Sequence, residues 1–126
     1  MAKARTALEI GDFSLADGIF AQIEAREQLA VDRVARAAFS RGEIAEQQVR
    51  WADAAEHYEK AAKLSPNHAN ALNNLAGLYQ TMGNYAKAEP LYLQAIKVFE
   101  NSLGVDHPST KTVRGNYAIF KSENGG

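Results

Sequence analysis

Two segments of this chain repeat each other at a fixed spacing of 34 residues (85 minus 51). The sequence WADAAEHYEKAAKL at 51–64 aligns without gaps on YAKAEPLYLQAIKV at 85–98. In both, an alanine, a tyrosine and a second alanine recur at four- and three-residue spacing, which places them on one face of an α-helix. A unit that repeats in this way cannot bury its apolar face alone, so the pattern indicates a stack of similar helical units.

Weaker copies extend the repeat in both directions. FSLADGIFAQIEA at 13–25 lies 38 residues before the first segment (51 minus 13), and GNYA at 115–118 repeats NNLA at 73–76 after 42 residues (116 minus 74). Turn and capping residues divide the chain at 65–67, 83–84 and 106–108. We therefore predict a partial helix at about 2–10 and helices near 14–27, 30–48, 51–64, 68–81, 85–101 and 108–122.

The composition excludes several classes of protein. The formal net charge of the 126 residues is -1, which argues against a nucleic-acid or anionic-membrane surface. There are no cysteines, so disulfide and thiolate metal sites are excluded. No apolar run approaches the roughly 20 residues of a membrane span. We expect a cytoplasmic protein with neither nucleic acid nor membrane as partner.

The stretch ALNNLAGLYQTMGNYAKAEPLYLQAI, followed by SLGVDHPST, resembles the tetratricopeptide repeat, and within it the longer variant of kinesin light chain and related bacterial proteins. The resemblance implies an all-α fold, a right-handed α-solenoid of antiparallel helix hairpins with about three units. These units would span about 1–28, 29–67 and 68–107, and 108–122 would be a partial unit or a capping helix. Both ends look incomplete, which favours a fragment of a longer protein.

The chain departs from the family pattern at a few positions. Val49 stands where a turn glycine is expected, and Arg41 replaces a core leucine. Arg114 and Gly115 stand where the preceding unit has Leu and Asn. Pro90 lies inside a predicted helix, where it should remove one hydrogen bond and bend the axis.

Residue patterns typical of catalysis or cofactor binding are missing from the sequence. His68 and His107 fall at predicted helix starts, which favours capping over metal binding, and no phosphate-binding loop is present. Glu43 and Glu46 are explained by a solvated helix face. We therefore expect no enzyme activity, no cofactor and no metal. Aromatic residues at equivalent repeat positions are predicted to be core: Phe13, Phe20, Trp51, Tyr58, Tyr85 and Tyr92.

Two adjacent asparagines, Asn73 and Asn74, interrupt the apolar helix ALNNLAGLY. Asn116 repeats Asn74, and amides can match the N–H and C=O groups of an extended backbone. The resemblance implies that such asparagines hold bound peptides; alternatively, they cap or bridge neighbouring helices. The candidate groove residues are Arg36, Phe39, Glu43, Asn70, Asn73, Asn74, Gly77, Gln80 and Asn116, with Phe39 undecided between core and groove.

The ligand we expect is a protein or peptide segment of neutral to mildly basic character. Few basic residues are predicted to face the groove, and its two glutamates would repel an acidic tail. Two other functions remain open. The exposed ends of the stack could associate with a second copy, or the chain could be the recognition arm of a larger enzyme or signalling ATPase.

Overall fold

The structure is a computed structural model that describes residues 13–65 and 68–124. Within that part the chain forms five helices and no strand: α1 (Phe13–Gln47), α2 (Trp51–Leu64), α3 (Ala69–Thr81), α4 (Tyr85–Leu103) and α5 (Pro108–Glu123). The predicted helix at 2–10 lies outside the described residues. The chain divides into two compact units, residues 1–33 and 34–126. Among the described helices, none combines the length and hydrophobicity needed to cross a membrane.

The predicted break between helices at 28–29 is wrong, because α1 continues through it without interruption. The sequence AREQLAVDRV around this point contains neither glycine nor proline and consists mostly of good helix formers. The side chain of Gln28 also donates a hydrogen bond to Asp32, one turn later, at 3.0 Å. In the first unit, Ala16 is buried on this helix while Phe20 is half-buried.

The starts of the other four helices agree with the prediction to within one residue and their ends to within two. His68 and His107 are N-caps, as predicted: their Nδ1 atoms accept hydrogen bonds from the backbone N–H groups of Ala71 and Ser109. Burial lowers the pKa of His68, which keeps its ring neutral and able to accept. Helix α4 continues through Pro90, as the resemblance implied.

The turns after α1 and α3 use the same backbone motif with different residues. Gly83 has φ 81° and Val49 has φ 58°, so both lie in the left-handed region. The N–H of Arg50 bonds to the carbonyl of Ala45 at 2.8 Å, which is the long hydrogen bond of a Schellman motif, and the turn at Gly83 has its equivalent. Val49 therefore occupies the place of the expected glycine and adopts its conformation despite a β-branched side chain.

Val49→Gly is expected to raise the free energy of unfolding by about 1 kcal/mol. The left-handed conformation costs an L-residue about 1–2 kcal/mol, and Val49 is 66% exposed, so little packing is lost. Urea denaturation of both proteins measures the difference. Val105→Gly is the control, because Val105 is also half-exposed in a turn but has no left-handed backbone. A Val49→Gly protein that is no more stable than the wild type would show that the left-handed conformation of Val49 does not cost stability.

The core of the second unit lies between successive helices from the second half of α1 to α5. Tyr58 of α2 and Phe120 of α5 are its largest fully buried side chains. The predicted apolar stripes are confirmed, since these residues are all buried: Ala54, Tyr58, Ala61, Leu72, Leu75, Ala76 and Tyr79. Tyr79 donates a hydrogen bond to Glu59, and burial raises the pKa of Tyr79 to about 12.

Two aromatic residues predicted as core are exposed, and a third, Phe20, is only half-buried. Trp51 is 39% exposed and Tyr85 is 48% exposed. Each is the first residue of its helix, directly after a turn, so part of the ring stays in solvent. Tyr92, at the equivalent of Tyr58, is 3% exposed and is core as predicted, while the side chain of Phe13 lies outside the described part.

Candidate peptide-binding groove

Two adjoining cavities open on α1, α3 and the helices beside them. The first, which we call the glutamate cavity after Glu43 and Glu46, has a volume of about 390 Å³. The second, which we call the asparagine cavity after Asn73, Asn74 and Asn116, has a volume of about 350 Å³. They share Glu46 and Asn74, and together we call them the groove. The first is lined by Glu43, Glu46, Gln47, Tyr58 and Asn74, and the second by Glu46, Trp51, Asn73, Asn74, Gly77, Leu78, Thr81, Tyr92 and Asn116.

A hydrogen-bond chain orients Asn74 at the junction of the cavities. The hydroxyl of Tyr58 donates to Oε1 of Glu46 at 2.8 Å, and Nδ2 of Asn74 lies 3.5 Å from the same hydroxyl. Burial and the glutamate raise the pKa of Tyr58, so the hydroxyl keeps its proton. Because that proton is given to Glu46, the hydroxyl can only accept from Asn74. The amide oxygen of Asn74 is therefore turned away from Tyr58.

A second amide contact joins α5 to α3. Nδ2 of Asn116 lies 3.4 Å from Oδ1 of Asn73. This leaves the amide nitrogen of Asn73 and the amide oxygen of Asn116 outside any hydrogen bond between described residues. Both bridges are long, and hydrogen bonds weaken at such distances. The asparagines thus do bridge helices, as the alternative interpretation expected, and they also line the groove.

The structure brings five of the candidate groove residues together around the cavities. These are Glu43, Asn73, Asn74, Gly77 and Asn116. A Cβ at Gly77 would lie 3.7 Å from the hydroxyl oxygen of Tyr92, which is an ordinary contact. The glycine is therefore not required by helix packing, and it leaves open space in the asparagine cavity.

The remaining four candidates lie outside both cavities. The ring of half-buried Phe39 packs against Tyr58 and His68, with centroid distances of 5.5 and 4.9 Å. Gln80 accepts a hydrogen bond from the Tyr92 hydroxyl at 2.7 Å and donates one to Glu123 at 2.6 Å, so it links three helices. Arg36 and Asn70 are exposed on α1 and α3.

Several groove residues were missed by the sequence reasoning. Trp51 and Tyr58 were predicted to be core because aromatic residues stand at their equivalent repeat positions. This pattern hides that a ring edge or a hydroxyl can reach a groove. Glu46 was predicted to share the groove face with Glu43 but was not included among the candidate groove residues. The helical spacing that placed Glu43 and Glu46 on the groove face could also have placed Gln47 there, since it follows Glu43 by four residues.

The groove carries unmatched negative charge. Glu43 and Glu46 line it, and among the described residues no lysine or arginine does. Arg41, two residues before Glu43, lines neither cavity, and Arg50, four residues after Glu46, forms an ion pair with Asp53 at 3.1 Å. The site is therefore polar, with amide groups at its centre and carboxylates towards α1.

Comparisons with known proteins agree with the fold. A family model described as tetratricopeptide repeat matches residues 1–69, and a second with the same description matches residues 67–125. A search of curated proteins returned no significant match. The solved structure of BtubC (BKLC) from P. vanneervenii, a kinesin light chain-like protein, superimposes with a TM-score of 0.72 at 22% sequence identity. The superposition covers 96% of this chain and 52% of BtubC, so the chain spans about half the length of that protein.

These matches confirm the predicted all-α solenoid, with a fold close to the kinesin light chain-like type. Tetratricopeptide repeats are generally protein–protein interaction modules, and the family is typically non-catalytic. The helix pairs, the turn motifs and the buried stripes lead to the same conclusion as the two family models. Together these two models span the described residues. The chain belongs to the tetratricopeptide repeat family.

Proposed function

We propose that this chain is a non-catalytic interaction module that binds an extended segment of a partner protein in the groove, in the cytoplasm. The observation that supports this most directly is the set of unused amide groups on three asparagines from two helices. Family membership supports the general role in protein binding. The groove residues concerned are Glu43, Asn73, Asn74, Gly77 and Asn116.

The unused groups suit a peptide backbone. Asn74 and Asn116 present amide oxygens, and Asn73 presents an amide nitrogen, so the groove offers both acceptors and a donor. An extended peptide has N–H and C=O groups of both kinds along its length and no internal partner for them. Such recognition depends little on the side chains of the bound peptide. The asparagines would therefore supply affinity, and neighbouring groove residues would supply specificity.

The charge of the groove favours a neutral to mildly basic segment. Carboxylates of Glu43 and Glu46 would repel an acidic tail, and Arg36, the nearest candidate for attracting one, lies outside both cavities. A competition between blocked basic or neutral peptides and peptides with a free acidic C-terminus checks this part. The charge preference is wrong if the acidic peptides bind more tightly.

Asn74→Ala is expected to weaken peptide binding by about 1–3 kcal/mol, because backbone groups of the ligand lose their partner. The melting temperature should change little, since among the described residues the amide makes a single, long hydrogen bond. Binding can be followed by the fluorescence of Trp51, the single tryptophan of the chain, which lines the same cavity. The probe is a library of acetylated, amidated octapeptides.

Asn70→Ala is the matched control, because Asn70 lies on the same helix but outside both cavities. It should bind as the wild type does. Equal weakening by both variants, or a loss of stability in Asn74→Ala that accounts for the loss of binding, would argue against the groove. Light scattering at several concentrations should show a monomer, which separates peptide binding from self-association.

A further inference from the structure

Trp51 and Glu46 both line the asparagine cavity, and Glu46 also lies at the junction with the glutamate cavity. We propose that this junction is a subsite for one lysine or arginine side chain of the bound segment, held between the indole of Trp51 and the carboxylate of Glu46, with Glu43 beside it. The inference rests on the proposed function, since it assigns one side chain of the same ligand. It also goes beyond backbone recognition, because it predicts which peptides the groove selects.

Glu46 is held in place by the protein and still has one free oxygen. Its Oε1 accepts the hydrogen bond from fully buried Tyr58 at 2.8 Å, while no described residue donates to its Oε2. A carboxylate that is already oriented loses little conformational freedom when a ligand binds. Its second oxygen can then accept a charge-assisted hydrogen bond, which is stronger than one between neutral groups.

Trp51 is a second feature that favours a cation, and it is independent of the carboxylates. Its side chain is 39% exposed and lines the asparagine cavity together with Glu46. The face of an indole attracts lysine and arginine through its quadrupole more strongly than other aromatic rings do. The aliphatic part of either side chain can also pack on the ring while its charged end reaches the carboxylate.

No described residue supplies this cation. Neither Glu43 nor Glu46 forms an ion pair with any described residue, and Arg50 is occupied by Asp53 and Gln48. A metal ion is a poorer fit, because among the described residues no group of three or more acidic, histidine or cysteine side chains could hold one. The charged side chain of a lysine or arginine in the bound peptide fits two carboxylates and one aromatic ring better than a metal ion does.

The test uses octapeptides that differ only in one central residue: arginine, its uncharged isostere citrulline, lysine and its uncharged counterpart norleucine. The charged peptides should bind roughly 5- to 30-fold more tightly than their uncharged counterparts. Glu46→Gln should reduce this ratio to about 2-fold or less, since glutamine can still accept from Tyr58 but carries no charge. Binding of the uncharged peptides should hardly change.

Glu56→Gln is the control, because Glu56 is exposed on α2 and lines neither cavity. It should keep the full preference for arginine and lysine. If Glu46→Gln lowers the melting temperature, Glu43→Gln replaces it, since the Glu43 side chain makes no hydrogen bond with a described residue and should also reduce the ratio. Trp51→Leu should lower the affinity for the charged peptides more than that for the uncharged ones, which lose only packing on the ring.

The outcomes distinguish the subsite from the groove. Equal binding of arginine and citrulline peptides, both weakened by Asn74→Ala, would overturn the subsite and leave the proposed function intact. Peptides that bind without any effect of Asn74→Ala would overturn the proposed function. N-acetyl-arginine N-methylamide tests the subsite alone: it should shift the indole N–H signal of Trp51 in NMR spectra, and the citrulline analogue should not. Equal shifts from both would overturn the subsite.

Discussion

Phe120→Ala is expected to lower the free energy of unfolding by about 3–5 kcal/mol, the range for removing a buried phenylalanine ring. Phe120 is 1% exposed and lies among three tyrosines: Tyr85, Tyr92 and Tyr117, with centroid distances of 6.0, 5.4 and 6.1 Å. Its removal takes away much of the contact between α4 and α5. In a repeat protein each helix is stabilised by its neighbours, so α5 should loosen first.

Hydrogen exchange measures this loosening directly. Backbone amides of α5 should exchange faster by a factor of a hundred or more, while those of α3 should change less. Ile119→Ala is the matched control, because Ile119 is next in sequence but 57% exposed, and its effect should stay below about 1 kcal/mol. Similar effects of the two substitutions would show that Phe120 does not hold α5 in place.

The same substitution connects stability with binding. Asn116 lies on α5 one turn before Phe120 and lines the asparagine cavity. If α5 loosens, Asn116 no longer has a fixed position, and peptide affinity should fall even though Phe120 lies outside the groove. Phe120→Leu, which keeps most of the buried volume, should recover part of both stability and affinity.

Gly42→Ala is expected to destabilise the protein by about 1–3 kcal/mol, the usual cost of overpacking a core. A Cβ at this position would lie 2.5 Å from Cε1 and 2.6 Å from Cδ1 of Tyr58. The ring cannot move aside easily, because Tyr58 is fully buried and its hydroxyl is bound to Glu46. The cost should exceed the gain of about 1 kcal/mol that alanine brings to a helix.

Gly115→Ala provides a control of opposite sign. Gly115 also lies inside a helix, but nothing stands within 4 Å of the Cβ that alanine would add. This variant should be more stable than the wild type by up to about 1 kcal/mol in urea denaturation. If Gly42→Ala were equally stabilising, Tyr58 would have to be mobile, and the orientation of Glu46 in the groove would lose its support.

Helix boundaries were predictable because they depend on residues close in sequence. The starts of α2 to α5 follow from caps and turns such as His68 and His107, which act within one turn of the chain. The prediction was wrong at 28–29, where a repeat boundary was expected but the local sequence is a good helix. There the repeat pattern predicts a break, whereas the local sequence favours a continuous helix. The structure has the continuous helix.

The groove was only partly predictable. Asn73, Asn74 and Asn116 were found because an amide repeated at equivalent positions on apolar helices is unusual. Trp51 was assigned to the core because its copies are aromatic, although it is 39% exposed at the start of its helix. Phe39 could not be assigned at all until its contacts with Tyr58 and His68 were known.

The sequence by itself determined the family, the helical stripes and the asparagines, because periodicity and repetition are properties of one chain read in order. Only the tertiary structure decided which side chains meet across helices: that Tyr58 binds Glu46 and thereby orients Asn74, and that Trp51 lines the same cavity as Glu46 and Asn74. The physical reason is that these contacts join residues far apart in sequence, and their geometry depends on helix packing.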